Sequence, residues 1–282
     1  MRIIDTHLHL IYPDRFSYPW LGNAPAINRP WTVEAYLAEA KALGIEAALH
    51  MEVDVAEADI VAESRFVVDL PGIGGAIAAC RPERADFPAE LEALLEAGKG
   101  RIKGLRRILH EVPDDVSEPA IFAENLRRLA EHGLTFDLCL RADQLPIAIR
   151  LARAAPDVTF ILDHCGNPDI NGIGLDPWRA DLKAVAAMPN IVGKLSGIVN
   201  HCDPGWTTAT LRPYIEHVIE SFGWDRVVWG SDHPVCTLTS SLTGWVTAAR
   251  EIVAAESLDN QARLFHANAE RVYRIARAVA GE

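Results

Sequence analysis

Short apolar, β-branched runs alternate with amphipathic stretches along the chain. Several of these runs are apolar on both faces, which is typical of strands that are covered by helices on one side and packed inward on the other. Eight of them are predicted as strands, at 2–7, 45–53, 73–80, 102–108, 134–140, 158–164, 191–196 and 226–231.

Helices are predicted between the strands from their start and stop residues. Thr32 is a typical N-cap, Glu34 follows it in the first turn, and Gly44 is a typical stop. A further helix opens at Pro88 and closes at Gly98. Later segments repeat this pattern, with Gly133 and Pro156 as stops and with apolar residues at helical spacing over 258–275.

Eight strands, each followed by a helix, predict a single (β/α)8 TIM barrel over 1–282. A doubly wound open sheet is the alternative, but no GxGxxG follows the first strand. No linker, repeat or low-complexity run divides the chain. The segment 11–30 is a Pro- and aromatic-rich insertion after the first strand, placed to cover part of a site at the carboxyl ends of the strands.

The charge balance excludes one class of partner. Lys and Arg number 27 against 39 Asp and Glu, and no basic face is visible, so no nucleic-acid partner is expected. No apolar stretch is long enough to span a bilayer and no signal peptide is recognised, so neither a membrane partner nor export is expected. The five cysteines are odd in number, widely spaced and without a CxxC pair, which favours small buried hydrophobes in a reducing cytoplasm. Barrels often pair through their outer helices, so a homo-oligomer remains one of the expected states of this protein.

Polar residues gather where three predicted strands end, which is where a barrel carries its chemistry. His7 and His9 follow the first strand and share one face by alternation. His164 follows Asp163 at the end of the sixth strand, and Asp232 stands after the eighth. Imidazoles and a carboxylate in one space can bind a metal or polarise a substrate oxygen. Hydrogen-bonded histidines and a turn aspartate are the ordinary alternative.

Further polar positions are candidates for binding a substrate. Arg106 and Arg107 point to opposite sides of a regular strand, so at most one faces the barrel, where a cation suits an oxygen-rich ligand. Glu52, near the end of the second strand, either orients a ligand or makes a salt bridge at the rim. Lys194 and Ser196 lie two apart on the seventh strand, hence on one face.

Together these residues resemble the amidohydrolase superfamily, and more closely its branch of lactone hydrolases that act on sugar-acid lactones and related carboxylated lactones. The resemblance runs from the first strand to the last helix. The matching pieces are DTHLH at 5–9, YPWL at 18–21, GLRR at 104–107, FDL at 136–138, QLP at 144–146, LDHCG at 162–166, KLSG at 194–197, WGSDHP at 229–234 and NAERVY at 268–273.

The resemblance implies a barrel that hydrolyses a small-molecule lactone at an electrophilic carbon. Metal-dependent members use the HxH pair, a lysine or glutamate after strand four, histidines after strands five and six, and an aspartate after strand eight. Here strand five has no histidine, and Lys103 lies too early in strand four to match, so a two-metal centre is not expected. Two alternatives remain, which are no required cofactor or one divalent ion such as zinc held by His7, His9, His164 and Asp232.

A mechanism follows for the lactone. Asp232 acts as general base on a water that attacks the ring carbonyl, and then returns the proton to the leaving ring oxygen. His7, His9 and His164, or an ion that they hold, stabilise the charge on the carbonyl oxygen. Substrate binding falls first to Arg106, then to the aromatic side chains and other polar groups at the rim, which are Trp20, Tyr18, Glu52, Lys194 and Ser196, with Gln144 and Trp206 as weaker candidates.

Two other functions are alternatives to lactone hydrolysis. One is a metal-dependent decarboxylase of the same superfamily, which would need a tightly held divalent ion. The other is a non-catalytic ligand-binding barrel that has lost its fifth-strand histidine. An idle site has no physical reason to keep the HxH pair, the strand-six histidine and the strand-eight aspartate together.

Overall fold

The computed structural model describes residues 1–171 and 175–275. Eight parallel strands pair in chain order and confirm the predicted (β/α)8 barrel. The barrel closes where Leu8 pairs with His233 just beyond the last strand. The strands are β1 Ile3–Leu8, β2 Ile45–Met51, β3 Ile73–Ala79, β4 Ile102–Ile108, β5 Thr135–Cys139, β6 Thr159–Leu162, β7 Ile191–Leu195 and β8 Val227–Trp229.

Helices follow each strand and form the outer layer. Thr32 caps the first helix through Ala35 N, and Gly44 ends that segment with a φ of +74°, as predicted. The main helices are α1 Val33–Ala40, α2 Ile60–Val67, α3 Phe87–Gly98, α4 Ala120–His132, α5 Leu145–Ala154, α6 Asp176–Ala186, α7 Thr208–Phe222 and α8 Leu242–Ile252. The chain then forms α9 Leu258–Ala262, a π-helical turn Arg263–Ala267 and α10 Asn268–Val272.

Two apolar cores hold these layers together. The larger core lies between the sheet and the helices, and the smaller one fills the barrel interior with Ile4, Leu49, Ile77, Ile161 and Val228. Burial of these side chains is the main favourable term that holds the barrel closed. The five cysteines are free and buried, as predicted. None of the helices within the described ranges is both long enough and apolar enough to cross a bilayer.

The sixth and eighth strands end earlier than predicted. The sixth was expected to reach His164 and the eighth Ser231, but they stop at Leu162 and Trp229. In the sixth strand the reason is a change of backbone conformation, because His164 has a φ of +54°. The eighth strand ends where its ladder with β7 ends, at the pair Leu195 and Trp229, and Asp232 has a φ of +56° one residue past the predicted end. A left-handed residue other than glycine cannot continue a strand and is uncommon. Both side chains therefore project from tight turns at the rim.

Candidate active site

A cavity of about 710 Å³ opens at the carboxyl ends of the strands. Of the residues predicted to act on or bind a substrate, it is lined by His9, Trp20, Arg106, His164 and Asp232. Its wall also includes Ile11, Asn23 and Ala24 from the segment 11–30, which lies over the site as expected. Trp20 is fixed there by a 2.8 Å hydrogen bond from its indole N–H to Val53 O.

His7, His9 and Asp232 form a compact group of three, in which His9 and Asp232 line the cavity and His7 is fully buried behind them. The two Nε2 atoms lie 3.2 Å apart. Asp232 Oδ1 lies 3.2 Å from His9 Nε2 and 3.5 Å from His7 Nε2. Two backbone hydrogen bonds hold this arrangement, from Asp232 N to His7 O and from His9 N to His233 O, each 2.8 Å long.

The hydrogen bonds of His9 define which ring nitrogen faces the group. Nδ1 lies 3.1 Å from Met51 O and 3.0 Å from Glu52 O. A carbonyl oxygen only accepts, so Nδ1 carries the proton and a neutral His9 presents a lone pair at Nε2. That lone pair faces the Asp232 carboxylate, which also only accepts. Two acceptor atoms this close repel each other, so the contact between His9 Nε2 and Asp232 favours a cation bound between them.

His7 is supported from behind by buried charges. Its Nδ1 lies 3.5 Å from Asp163 Oδ1 and 3.4 Å from Lys194 Nζ. Burial lowers the pKa of His7 well below its usual value, although Asp163 opposes this. A neutral His7 that donates from Nδ1 to Asp163 presents its lone pair at Nε2, in the way that carboxylates orient metal-ligating histidines.

The pKa of Asp232 lies below its usual range. Burial alone would raise it, whereas the facing imidazoles of His164, His9 and His7 lower it when they are protonated. Asp232 Oδ2 accepts a 2.6 Å hydrogen bond from Asn200 Nδ2. The carboxylate is therefore a fixed, charged acceptor at the cavity floor.

His164 lies beside the group of three, with its ring centroid 4.6 Å from that of His7. Ser196 Oγ accepts the His164 backbone N–H at 3.2 Å and lies 3.0 Å from its Nδ1. When the Ser196 hydroxyl donates to Nδ1, the ring proton is on Nε2 and is available to a ligand. Burial lowers the pKa of His164 to about 4, so the ring is neutral at pH 7.

Arg106 faces the barrel interior and Arg107 faces outward, as the alternation predicted. Arg106 Nε donates to Glu52 Oε1 at 2.6 Å, and its NH2 group donates to Glu52 O at 2.9 Å. Arg107 pairs with Glu83 at 2.9 Å on the outer side. Glu52 is buried by this pairing and does not line the cavity, so its position is that of a support for Arg106.

Lys194 and Ser196 point inward as predicted but lie beneath the cavity, not on its wall. Lys194 Nζ contacts Asp137 Oδ1 and lies 2.8 Å from Asp163 Oδ1. Burial raises the pKa of Asp137 to about 7, against the opposing effect of Lys194. In this position Lys194 neutralises buried carboxylates and cannot reach a ligand directly.

Three other predicted residues also lie off the cavity wall. Tyr18 accepts the Tyr12 backbone N–H at 3.0 Å and is buried within the segment 11–30. Gln144 donates to Leu109 O and to Asp114, and Trp206 donates to Thr239 O. All three therefore hold loops in place.

Sequence reasoning did not select two residues that the site uses. Asp163 was visible as the neighbour of His164 at a strand end, and this adjacency is the signal that could have selected it. Asn200 had no signal, because it lies within a short 3₁₀ turn that shows no periodic pattern in the sequence.

The residues present fit one divalent ion. In a tetrahedral zinc site with bonds of 2.0–2.1 Å, neighbouring ligand atoms are about 3.3–3.4 Å apart. The three distances among His7 Nε2, His9 Nε2 and Asp232 Oδ1 are 3.2, 3.2 and 3.5 Å. The carboxyl groups around the site also outnumber its cations, because Arg106 and Lys194 face Glu52, Asp137 and Asp163, and Asp232 is a fourth carboxyl group.

The family model for amidohydrolases (Amidohydro_2) matches residues 4–275 of the chain. The uncharacterized protein y4mH of Sinorhizobium fredii is 30% identical over 97% of this chain and 98% of that protein. An L-fucono-1,5-lactonase of Burkholderia ambifaria is 29% identical over 76% of this chain and 77% of its own. A crystal structure of an amidohydrolase from Burkholderia multivorans with bound zinc has a TM-score of 0.89 at 22% identity, covering 98% and 100% of the two chains, and shows the same fold. The chain belongs to the amidohydrolase family.

Proposed function

We propose that the protein is a hydrolase that opens the ring of a sugar-acid lactone, with Asp232 as the general base. The observation that carries the proposal is the position of the Asp232 carboxylate, which is fixed between His9 and Asn200 at the floor of a cavity. Similarity to an L-fucono-1,5-lactonase supports the lactone as the substrate class.

The reaction needs a proton acceptor, and Asp232 is the carboxylate placed for it. It accepts a proton from a water as that water attacks the ring carbonyl carbon. It then returns the proton to the ring oxygen as the ester bond breaks. No covalent intermediate is required, and no GxSxG turn is present in the sequence to supply a serine nucleophile.

Negative charge develops on the carbonyl oxygen and needs a donor. His164 is suited to this, because its hydrogen bond with Ser196 leaves a proton on Nε2 at the cavity wall. His9 suits the second of its two predicted roles, that of holding an ion, since a neutral His9 with its proton on Nδ1 presents a lone pair at Nε2. We assign His7, His9 and Asp232 as the residues that would hold a divalent ion, which supplies Lewis acidity when bound.

The charges of the cavity favour an uncharged, hydroxyl-rich substrate over a carboxylated one. Arg106 is paired with Glu52, and Arg141, the other arginine on the wall, is paired with Asp143 and Asp114. Each guanidinium therefore already has a carboxylate partner, which weakens its attraction for a substrate carboxylate. The wall also carries neutral polar groups that suit a hydroxyl-rich substrate, among them Asn23, Asn167 and His201.

A pH-indicator assay over aldonolactones and dicarboxylate lactones tests the proposal. We expect turnover of one or more aldonolactones and weaker or no turnover of the dicarboxylates. Turnover of dicarboxylate lactones alone would contradict the sugar-acid assignment. If no lactone is opened and carbon dioxide is released from a carboxylated ring, the protein is a decarboxylase and the proposal fails.

The same assay with exhaustive chelation separates the two cofactor alternatives. If chelation lowers the rate and added zinc restores it, the reaction requires a metal ion, which we assign to His7, His9 and Asp232. An unchanged rate with no bound metal would show that the side chains alone are sufficient.

A further inference from the structure

Asn200 touches the general base from the side opposite to the histidines. It lies in the 3₁₀ turn Ile198–His201 after β7 and lines the cavity. Its side-chain nitrogen lies 2.6 Å from Asp232 Oδ2. Because a carboxylate only accepts, the amide must direct its N–H₂ group at Asp232, which defines its orientation.

The two oxygens of Asp232 therefore have different partners. Oδ1 faces His7 and His9, at 3.5 and 3.2 Å, whereas Oδ2 faces Asn200. A carboxylate bonded on one side only can rotate about its Cβ–Cγ bond, since that torsion is broad. The hydrogen bond to Asn200 restricts the rotation, so that Oδ1 stays directed at the two imidazoles.

The backbone before Asn200 passes close to both His164 and Asp232, and glycine at position 197 makes this possible. Gly197 has a φ of +60°, and a Cβ there would lie 2.3 Å from His164 Nδ1 and 3.1 Å from Asp232 Oδ2. Only glycine lets the chain pass this close to both side chains. Asn200 N donates to Gly197 O at 3.0 Å, which closes the turn that carries the amide to Asp232.

We propose that Asn200 is a positioning residue, which fixes the Asp232 carboxylate in the rotamer that directs Oδ1 at His7 and His9. The proposal rests on the proposed function for its kinetic consequence but not for its geometric one. A group that orients a ligand or base in this way contributes about 10- to 100-fold to activity or metal affinity. A residue that only ties two loops together would change stability without this selective effect.

Asn200→Ala and Asn200→Asp test the proposal, with Asn171→Ala as the matched control. Asn171 donates to His201 O and so supports the same turn without touching Asp232. For Asn200→Ala we expect kcat to fall about 10- to 100-fold with KM within about threefold of wild type. Asn200→Asp should lose more, because it puts one carboxylate against another. The control should keep wild-type kcat.

Crystal structures of the wild type and of Asn200→Ala provide a readout that does not depend on activity. We expect Asp232 Oδ1 to move away from His9 Nε2 in the variant. If the wild type opens lactones and Asn200→Ala keeps its kcat, the positioning role is contradicted while the proposed function stands. If the wild type opens no lactone, the proposed function fails, and the position of Asp232 in the variant alone decides: an unmoved carboxylate overturns the inference.

Discussion

Lys194 Nζ lies 2.8 Å from Asp163 Oδ1 inside the barrel, and neither side chain is accessible to solvent. The same ammonium contacts Asp137, which is also fully buried. Buried carboxylates are tolerated only when they are paired, since their hydration is lost. This cluster lies directly behind His7 and supports the cavity floor from below.

Lys194→Met should therefore be strongly destabilising. The substitution keeps most of the side-chain volume but leaves Asp137 and Asp163 without their shared cation. We expect the free energy of unfolding to fall by about 3–5 kcal/mol, measured by urea denaturation. The double variant with Asp137→Asn should regain part of this loss, because it removes one of the unpaired charges. A loss below about 1 kcal/mol in the single variant would contradict the pairing.

Arg106→Lys is expected to behave differently from Arg107→Lys, although the two residues are adjacent. A lysine cannot reproduce the two hydrogen bonds from Arg106 to Glu52, and each bond to a charged group contributes about 1.5–3 kcal/mol. We expect a clear decrease in the thermal midpoint for Arg106→Lys. Arg107 pairs with the partly exposed Glu83 on the outer side, so lysine there should cost less than lysine at Arg106, whose partner is fully buried. Equal effects would be inconsistent with the inward orientation of Arg106.

Trp20→Ala should weaken substrate binding more than it slows the reaction. The indole lines the cavity and is fixed by its bond to Val53 O. Loss of an aromatic contact costs about 0.5–1.5 kcal/mol, so we expect KM to rise roughly threefold to tenfold with little change in kcat. Trp20→Phe keeps a ring and should lie between the wild type and the alanine variant. Steady-state kinetics on the best lactone measures both, and a fall in kcat at constant KM would assign Trp20 another role.

The order of strands and helices could be predicted from the sequence, because the barrel depends on local patterns of apolar and polar residues. Apolar runs at the eight strand positions, with typical caps such as Thr32 and stops such as Gly44, predict the element order. The predicted end of β6 was wrong because a hydrophobic run does not reveal the sign of φ. His164 and Asp232 leave the extended conformation at the point where their side chains enter the site.

The same limit applies to the site residues. Alternation along a strand predicts which side chains face inward, and it placed Arg106, Lys194 and Ser196 correctly in that respect. Alternation does not predict how deeply a side chain is buried below the cavity. It therefore did not reveal that Lys194 and Ser196 lie beneath the cavity wall. The position of Asn200 depends on the left-handed turn at Gly197, and no periodic pattern in the sequence predicts that turn.

Asp232→Asn is the most direct test of the general-base assignment. Asparagine keeps the shape of the side chain and tolerates a positive φ, but it cannot accept a proton from water. Asp54→Asn is the matched control, because Asp54 is another carboxylate on the cavity wall with a positive φ and no contact to His7 or His9. Circular dichroism and the thermal midpoint establish that both variants are folded.

The decisive measurement is kcat of Asp232→Asn on the lactone that the wild type opens fastest. General-base catalysis contributes about 10²- to 10⁴-fold, so we expect kcat to fall by that factor, while Asp54→Asn stays within about threefold of wild type. A folded Asp232→Asn variant that turns over at the wild-type rate would contradict the assignment.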